Sequence, residues 1–359
     1  MQGFVDIKIG LLRKFVEDVF TSLDVPEKDA KITADILITA NRRGINSHGV
    51  ARLERYVNYI KNNRMNPKTK ITVIKETPVS LLISGGNGLG QVTAYKTMNM
   101  VIEKVKETGL CFATVRESNH YGIAGYYSMM ALRENFIGIS LTNSAPIVLP
   151  TFGKEAVIGT NPLSFAIPAE RENPFVLDMS TSTVTRGKLE VYSRMDRPIS
   201  EAWATDERGN PSRETAKILD NILKRKGGGL LPLGGGTEET GGHKGYGLSV
   251  LVDILSGLLS NGTFGPMIYS NKKRAGVCHF FGAINPEIFI PADEFMKNMD
   301  RFIKRLKATA RVSGADNIYI HGEKEFANEK KHKKTVPIYC KVLENLKCIG
   351  RKVGIKLKP

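Results

Sequence analysis

The chain has 359 residues, and its 52 Lys and Arg against 36 Asp and Glu give a formal net charge of +16 at pH 7. Its 41% hydrophobic and 25% charged residues are close to average soluble composition, which excludes a disordered or collagen-like chain. At roughly 150 residues per domain, the length predicts two or three packing units. The positive charge suits phosphates, acidic metabolites or nucleic acid and does not choose among them.

The first sixty residues have a helical pattern. Apolar residues recur at helical spacing in two segments within residues 8–40, which predicts two amphipathic helices. A third helix is expected at about 50–62, after a loop at 44–49. The chain should therefore open with a helical region.

A β-type pattern begins at residue 71 and leads into the glycine-rich segment 85–90 and then a helix at 92–106. A strand, a glycine loop and a helix form the dinucleotide-binding fingerprint. The spacing fails here, because Gly86 and Gly88 as the first two glycines place Gln91 where the third should be. No strand ending in an acidic residue follows at the expected distance. We interpret the segment as a tight turn.

The middle and the end of the chain alternate between short strands, helices and loops. We predict strands at 111–115, 137–142, 163–167, 175–177, 275–284 and 317–320, and helices at 124–135, 246–260 and 293–307. Residues 194–242 read as a loop-rich stretch. Residues 321–359 carry eleven Lys or Arg against four Glu, and we expect a solvated basic face there rather than a nucleic-acid-binding arm.

Cysteine and histidine spacing points to no metal and no disulfide. The four cysteines show no CxxC spacing, so reduced thiols are expected. A catalytic zinc usually takes three protein ligands, and the histidines outside the motifs below lack any metal-ligand spacing. The N-terminus does not have the pattern of a signal peptide, and no uninterrupted apolar stretch is long enough to span a bilayer. We expect a cytoplasmic protein without membrane contact.

His48, Arg52 and Tyr56 are the most informative cluster, since they stand at i, i+4 and i+8 of the expected third helix. On one helical face they can converge on one ligand. An imidazole exchanges a proton near neutral pH, and a guanidinium binds a carboxylate through two parallel hydrogen bonds, which suits a 2-hydroxy or 2-oxo acid. By spacing alone, a capped helix with a surface arginine is an equally good interpretation.

Three further positions could carry chemistry. His120, within Ser118–Asn119–His120–Tyr121–Gly122, lies at a strand-to-helix turn, where loops often carry function. Asp178 ends an apolar strand and could cap the next turn or orient an imidazolium. Glycines at 241–247 open a helix that carries Lys244 near its positive end, which fits either a pyrophosphate site or an ordinary glycine-rich helix start.

Five motifs occur together and in order, and with them the chain closely resembles the malate/L-lactate dehydrogenase family, which also contains ureidoglycolate dehydrogenase and archaeal L-sulfolactate dehydrogenases. The motifs are Ser47–His48–Gly49–x–x–Arg52–Leu53–x–x–Tyr56, Ser118–Asn119–His120–x–Gly122, Gly159–Thr160–Asn161–Pro162, Leu177–Asp178–Met179–Ser180–Thr181–Ser182 with Gly187–Lys188, and His243–Lys244–Gly245–Tyr246–Gly247–Leu248. The resemblance extends from residue 8 to about residue 325. We expect the nearest relatives among the archaeal L-sulfolactate and L-2-hydroxycarboxylate dehydrogenases.

The resemblance implies an α/β (α+β) fold with a mixed sheet and a non-Rossmann NAD(P)-binding fold, in agreement with the failed glycine spacing. A helical N-terminal region should accompany a central cofactor-binding domain. The implied domains are 1–118 together with about 308–325 for substrate, 119–307 for NAD(P), and 326–359 as a basic C-terminal extension. Family members also imply a homodimer with the site near the subunit contact.

By similarity, His48 resembles the proton donor to the substrate oxygen, with Asp178 as its carboxylate partner, and Arg52 resembles the clamp for the substrate carboxylate. Some family members are instead described with the histidine of the second motif, here His120, as the acid/base. The resemblance also assigns Ser47, Tyr56 and Thr160 to substrate binding. It assigns to the cofactor Ser144, Asp178, Met179, Ser180, Lys188, Lys244, Gly245, Gly322 and Glu323. His321 stands where proline is usual, which weakens the assignment of Gly322 and Glu323.

The expected reaction is hydride transfer between NAD(P)H and a small 2-oxo acid, giving the L-2-hydroxy acid. The nicotinamide supplies the hydride chemistry. The basic balance suits sulfopyruvate, oxaloacetate or 2-oxoglutarate better than neutral substrates. NAD is the expected cofactor and NADP the alternative, with Arg186 as one candidate for a 2′-phosphate contact.

The rival class is a basic nucleic-acid-binding protein. It is disfavoured because aromatic and basic residues are not interleaved and no RNA- or DNA-binding motif is present.

Overall fold

The fold is known from a computed structural model that describes residues 3–357. The strands in chain order are β1 (Phe4–Lys8), β2 (Thr72–Thr77), β3 (Ser80–Ser84), β4 (Leu110–Ser118), β5 (Ile137–Thr142), β6 (Leu163–Ile167), β7 (Phe175–Met179), β8 (Ala204–Thr205), β9 (Gly229–Leu230), β10 (Val277–Ile284) and β11 (Thr335–Tyr339). The α-helices are α1 (Ile9–Thr21), α2 (Glu27–Arg42), α3 (Leu53–Lys61), α4 (Gly90–Thr108), α5 (Ala124–Met130), α6 (Arg186–Arg194), α7 (Thr215–Lys224), α8 (Gly242–Asp253), α9 (Ala292–Lys307), α10 (Glu323–Lys331) and α11 (Cys340–Lys352).

The centre of the molecule is a seven-stranded mixed sheet in the order β2-β3-β4-β10-β5-β6-β7. Only the β3–β4 pair is parallel, and the other neighbours are antiparallel. Successive side chains of β10 alternate between the two faces, so Phe281 packs with α4 and α5 while Phe280 packs with Val252 of α8. The expected α/β fold with a mixed sheet is confirmed.

The predicted domain boundary at residue 118 coincides with the end of β4 in the central sheet. β4 ends at Ser118 and is hydrogen-bonded to β10 at Val277–Ile284, so one sheet contains residues from both sides of the boundary. A cut at this point would break the ladder with the most extensive pairing in the sheet. The pairing of β4 with β10 could not be predicted from the sequence, because the two strands lie far apart along the chain.

The predicted basic C-terminal extension, residues 326–359, contains β11 and α11. β11 pairs with β1 in an antiparallel ladder from Phe4↔Tyr339 to Lys8↔Thr335. Val336 and Ile338 alternate inward and join the N-terminal hydrophobic core, together with apolar residues of α11. The segment is basic only on its outer side, because Lys side chains remain in water while the apolar positions pack.

Several local predictions require correction. Residues 317–320 form no strand, and the loop-rich stretch contains α7 and the β8–β9 pair. The expected helix at 124–135 is α-helical only to Met130 and ends as a 3-10 turn. The helix expected at 246–260 begins at Gly242 and changes to π-helical geometry at Ile254–Leu258.

The third helix is interrupted before α3. Two 3-10 turns, Asn46–His48 and Val50–Arg52, precede it and are separated by Gly49. A Cβ atom at Gly49 would lie 2.1 Å from the Asn41 Oδ1 atom, which accepts a hydrogen bond from Val50 N, so a side chain here would displace the Asn41 amide from this bond. His48, Arg52 and Tyr56 are therefore not on one continuous helix.

Three further features of the described chain are its helix lengths, its possible metal ligands and its cysteines. None of the helices within residues 3–357 is long and apolar enough to cross a bilayer. In the same range, no three His, Cys, Asp or Glu side chains are grouped to hold a metal ion. The four cysteines are free thiols, and burial raises the pKa of Cys111 to about 11.

Candidate active site

A cleft of about 880 Å³ lies between α3, the loop after β5, the start of α6 and α11. Five of the residues predicted from the sequence line it, namely His48, Arg52, His120, Ser144 and Thr160. Arg186 lines it as well. The residues come from four separate parts of the chain, 48–52, 120, 144–160 and 186, so the fold brings together motifs that the sequence keeps apart.

The two predicted histidines face each other in this cleft. The rings of His48 and His120 stack with centroids 5.6 Å apart and planes inclined by 19°. The Nδ1 atom of His48 is 2.9 Å from Ser47 Oγ, and the Nδ1 atom of His120 is 2.6 Å from Tyr56 Oη. Ser47 and Tyr56 thus hold the imidazoles, which differs from the substrate contact expected for them.

The hydrogen bonds distinguish the two rings. The Gly122 N–H also donates to Nδ1 of His120 at 3.4 Å, and a backbone N–H can only donate. Nδ1 of His120 must therefore accept, which leaves the proton of the neutral ring on Nε2. The Ser47 hydroxyl can donate or accept, so His48 can gain or lose a proton without breaking a backbone hydrogen bond.

Burial and positive charge keep both imidazoles neutral in the ligand-free protein. Burial, followed by the charges of Arg52, Arg55 and Arg186, lowers the pKa of His48 to about 3. The pKa of His120 also lies well below its usual value, again mainly because of burial. An anion bound beside the guanidinium groups would offset their charge and raise both pKa values.

Arg52 is fixed by the backbone rather than by a carboxylate. Its Nε donates to the Ser47 carbonyl at 2.6 Å. At Gly187, a Cβ atom would lie 3.1 Å from Ser47 Cβ and 3.6 Å from Arg52 Nη2, so glycine lets the start of α6 approach the clamp. No carboxylate in residues 3–357 lies within ion-pair distance of Arg52. Its charge is available to a ligand.

Asp178 is not the partner of His48 in this structure. Its Oδ2 accepts a hydrogen bond from the Gly125 N–H at 2.8 Å, and the charged groups that act on it are Arg43 and Glu325. Burial raises its pKa to about 6. Asp178 is the second-last residue of β7, and the end of this strand lies beside the start of α5, which contains Gly125. The expected pairing is corrected accordingly, since His48 bonds to Ser47 instead.

Asn161 connects the Gly159–Thr160–Asn161–Pro162 motif to α8, a role that sequence reasoning missed. Its Nδ2 donates to Ser249 O at 2.9 Å and to Asp253 Oδ2 at 3.0 Å, and its Oδ1 accepts from Ser144 N. A Cβ atom at Gly159 would lie 2.3 Å from that Oδ1 atom. The hydroxyls of Ser144 and Thr160, both predicted, are then 3.2 Å apart at the cleft.

The contacts continue from Thr160 to the start of α8. Thr181 N donates to Thr160 O at 2.9 Å, and Leu233 N donates to Thr181 O at 2.9 Å. A Cβ atom at Gly245 would lie 2.2 Å from Leu233 O. Gly245 therefore allows α8 to pack closely, and the helix start that carries Lys244 is linked to the cleft through backbone contacts.

The other predicted cofactor residues lie away from the cleft lining. Met179 and Ser180 stand at the end of β7, next to Thr181. Lys188 is exposed, with its Nζ 5.5 Å from the ring centroid of Tyr192. Glu323 pairs with Lys307 at 2.5 Å and accepts from Ile320 N at 3.0 Å, while Gly322 is the N-cap of α10 with φ +96°. Their contacts are internal to the protein.

The glycine-rich segment 85–90 supports the loop that carries His120. A Cβ atom at Gly90 would lie 2.1 Å from the Asn119 carbonyl oxygen and 2.6 Å from the His120 carbonyl oxygen. Asn119 Nδ2 in turn donates to Gly88 O at 2.8 Å. The glycines are needed for close packing of two backbone segments, which explains a glycine pattern that fails the dinucleotide spacing.

His279 holds the same loop from the other side and was not predicted. Its Nε2 is 2.8 Å from Ser118 Oγ and its Nδ1 is 2.8 Å from Thr142 Oγ1. The ring stacks on Tyr121 with centroids 4.6 Å apart. Burial lowers the pKa of His279 to about 3, so the ring stays neutral. The residues before and after His120 are thereby fixed.

We expect Gly90→Ala to lower kcat/KM by about tenfold or more, because a displacement of about 1 Å at a reacting group can reduce the rate strongly. The new methyl group would press on backbone carbonyls, which cannot move aside as a flexible side chain can. Steady-state kinetics measure the effect, and Gly247→Ala is the matched control, since a Cβ there meets nothing within 4 Å. Equal activities of the two variants would contradict the role of Gly90.

The chain is similar over nearly its whole length to characterised dehydrogenases. The sequence profile of the malate/L-lactate dehydrogenase family matches residues 7–347. A malate dehydrogenase of Pyrococcus abyssi is 48% identical over 99% of this chain and 97% of its own. An L-sulfolactate dehydrogenase of Methanocaldococcus jannaschii is 36% identical over 96% of both chains. The crystal structure of malate dehydrogenase from Entamoeba histolytica superimposes with a TM-score of 0.95 at 36% identity, covering 98% of this chain and 99% of that one.

The mixed sheet and the cleft of paired imidazoles and guanidinium groups thus define an oxidoreductase of 2-hydroxy acids. The chain belongs to the malate/L-lactate dehydrogenase family. It is a nicotinamide-dependent dehydrogenase that acts on a small 2-hydroxy acid. These relatives give no support to the nucleic-acid-binding alternative.

Proposed function

We propose that the protein interconverts a dianionic 2-oxo acid and its L-2-hydroxy acid, with oxaloacetate and malate as the first pair to test and sulfopyruvate/sulfolactate and 2-oxoglutarate/2-hydroxyglutarate as the others. The observation that carries the proposal is the charge of the cleft. Arg52 and Arg55 both line it, and neither forms an ion pair with a carboxylate in residues 3–357. Two acidic groups on one substrate would balance these two charges.

In this proposal each cleft residue has one task. Arg52 binds the substrate carboxylate through its guanidinium group, and His48 gives its proton to the oxo oxygen during reduction and takes it back during oxidation. Neutral His120 donates a hydrogen bond from Nε2 to the same oxygen, and Thr160 contacts the substrate. The nicotinamide, when bound, supplies or accepts the hydride.

The residues beside the cleft fit a nicotinamide cofactor. Ser144 and Thr160 place two hydroxyl groups on the cleft wall. The backbone contacts through Thr181 and Leu233 lead from there to the start of α8 with Lys244 and Gly245, where the helix dipole and a cation suit phosphate. Asp178, Met179, Ser180, Lys188, Gly322 and Glu323 keep the cofactor roles that the resemblance assigns, as part of the proposal.

We propose NADH as the cofactor in preference to NADPH. Arg186, the candidate for a 2′-phosphate contact, is bound to Glu190 at 3.0 Å. It also lies close enough to both imidazoles for its charge to lower their pKa values. The 2′-phosphate is at the opposite end of the cofactor from the nicotinamide, so Arg186 is at the wrong end to bind it.

The test of the proposed function is a panel of 2-oxo acids assayed by loss of NADH absorbance, and of NADPH in parallel. The panel contains oxaloacetate, sulfopyruvate, 2-oxoglutarate and the monoanion pyruvate. We expect the highest kcat/KM with a dianion and NADH. Absence of turnover with every 2-oxo acid would refute the proposal, and pyruvate as the best substrate would refute its dianion part.

The pH dependence of the two directions should differ. In the free protein the pKa of His48 is about 3, so the protonated fraction falls about tenfold per pH unit between pH 5 and 8. Because kcat/KM reports the free enzyme, log kcat/KM for reduction should fall with a slope near −1. Oxidation needs neutral His48 and should be nearly independent of pH. Initial rates in both directions provide the measurement, and a flat profile for reduction would contradict it.

We also propose a homodimer. Apolar side chains on α8 and the π-helical turn after it share one helical face and are exposed, namely Leu251, Ile254, Leu258 and Leu259. A contiguous exposed apolar face of this kind is typical of a subunit contact. Light scattering should give about twice the 39.6 kDa of one chain at micromolar concentration. A mass near that of one chain would exclude the dimer.

A further inference from the structure

Arg55 is another cation that lines the cleft, and no motif includes it. It lies three residues after Arg52, so the two side chains are neighbours on the surface of the same turn and both line the cleft. Its charge lowers the pKa of both imidazoles, which places it within electrostatic range of the reacting groups. Arg55 is therefore beside the substrate site and not at a remote edge of the cleft.

Every partner of Arg55 is neutral. Its Nη2 donates to the Tyr269 hydroxyl at 2.5 Å, and its guanidinium carbon lies 5.1 Å from the Tyr269 ring centroid and 5.3 Å from that of Tyr59. No acidic side chain in residues 3–357 pairs with it, whereas Arg186 in the same cleft is bound to Glu190. A partly buried guanidinium without a counter-charge is a site that an anion would stabilise.

The loop that carries Tyr269 supports a binding role. Tyr269 has a φ of +58°, in the left-handed region that residues with side chains rarely adopt, and it bonds back to Ala275 through its N–H. Strained residues of this kind concentrate at ligand clamps. Here the strained conformation presents the hydroxyl to Arg55 and fixes the direction of the guanidinium.

We propose that Arg55, oriented by Tyr269, binds the second acidic group of the substrate, a carboxylate or sulfonate, while Arg52 binds the carboxylate next to the oxo carbon. The inference rests on the proposed function and deepens it, because it names the residue that selects dianions. A planar fork of donors suits both acid groups. Two neighbouring guanidinium groups on one turn match two acidic groups on one short substrate.

A guanidinium binds carboxylate, sulfonate and phosphate alike, so the anion that Arg55 binds could instead be a phosphate of the cofactor. The two sources make different predictions. If Arg55 binds the second acidic group, its replacement lowers kcat/KM for oxaloacetate and leaves kcat/KM for pyruvate unchanged, since pyruvate has no second acid. If Arg55 binds a cofactor phosphate, its replacement raises the KM for NADH whichever substrate is used.

The experiment compares Arg55→Gln with the wild-type enzyme on oxaloacetate and on pyruvate, each at saturating NADH, together with the KM for NADH. We expect kcat/KM for oxaloacetate to fall about 30-fold or more, mainly through KM, because a charge-assisted hydrogen bond is lost. For pyruvate the change should stay within about threefold. Lys341→Gln is the matched control, since it removes one positive charge from an exposed position on the same cleft and should affect both substrates equally and slightly.

Equal losses on both substrates, no loss on oxaloacetate, or a raised KM for NADH would each overturn the proposal. If Arg55→Gln does not fold, Tyr269→Phe decides, because it keeps the ring and removes only the hydroxyl that orients Arg55. It should lower the preference for oxaloacetate over pyruvate in the same direction, and an unchanged preference would overturn the proposal. A wild-type enzyme that reduces neither acid would refute the proposed function itself.

Discussion

His48→Gln is expected to lower kcat in both directions by about 10²–10⁴-fold, the usual loss when a general acid/base is removed. NADH binding should remain close to wild type. The reason lies in the hydrogen bonds of the ring, since His48 contacts a hydroxyl that can donate or accept and can therefore carry the proton both ways. Single-turnover kinetics with NADH fluorescence separate the chemical step from binding.

His120→Gln is the matched comparison, because it removes the ring stacked on His48. Nδ1 of His120 accepts from the Gly122 N–H, and in the proposed function its Nε2–H positions the substrate oxygen. Its loss should act mainly through KM, as loss of a positioning hydrogen bond does. If His120→Gln abolished turnover while His48→Gln kept most of it, the two assigned roles would be reversed.

Asp178→Asn separates the corrected geometry from the expected one. If Asp178 paired with His48, Asp178→Asn would show a kinetic defect like that of His48→Gln. The Asp178 side chain instead accepts from Gly125 at the start of α5, and asparagine can also accept that bond.

Replacing Arg52 should produce the second large effect. Arg52→Leu removes the guanidinium that lies unpaired beside His48, and we expect kcat/KM for the 2-oxo acid to fall by about 10²–10³-fold, the loss typical of a buried charged hydrogen bond. Arg52→Lys keeps the charge and loses the bidentate geometry, so its kcat/KM should lie between those of the wild-type enzyme and Arg52→Leu. Steady-state kinetics on the preferred acid give the values.

The series also tests whether charge or geometry carries the interaction. Activity of Arg52→Lys near wild type would show that charge alone is sufficient. Activity of Arg52→Leu near wild type would exclude Arg52 as the carboxylate clamp. Since removal of the positive charge also raises the pKa of His48, the pH profile of Arg52→Leu should shift to higher pH in the reduction direction.

The sequence predicted the elements that repeat a local pattern and the residues that belong to motifs. The central strands and most helices follow from apolar periodicity, and His48, Arg52, His120, Ser144 and Thr160 do line one cleft. These predictions depend on the chemistry and spacing of a few residues. Such information is present in a single chain.

The remaining features depend on contacts between segments that lie far apart in the chain. The pairing of β1 with β11 joins residues 4–8 to 335–339, and nothing local marks the second segment as a strand of that core. His279 and Asn161 act through partners more than 80 residues away. Arg55 was missed for a different reason, since an arginine on an exposed helical pattern looks the same whether or not its counter-ion exists.

The left-handed backbone at Tyr269 has a consequence for the stability of the protein. A non-glycine residue in this region costs about 1–3 kcal/mol, and this cost is present whether or not substrate is bound. Tyr269→Gly would remove the strain and, with it, the phenol that orients Arg55. The lost packing of the largely buried ring against Ile268, Ala275 and Val277 costs more, about 3–5 kcal/mol, so the variant should be both less heat-stable and less selective between acids. The strained backbone is therefore kept by the same ring that stabilises this loop and hydrogen-bonds to Arg55.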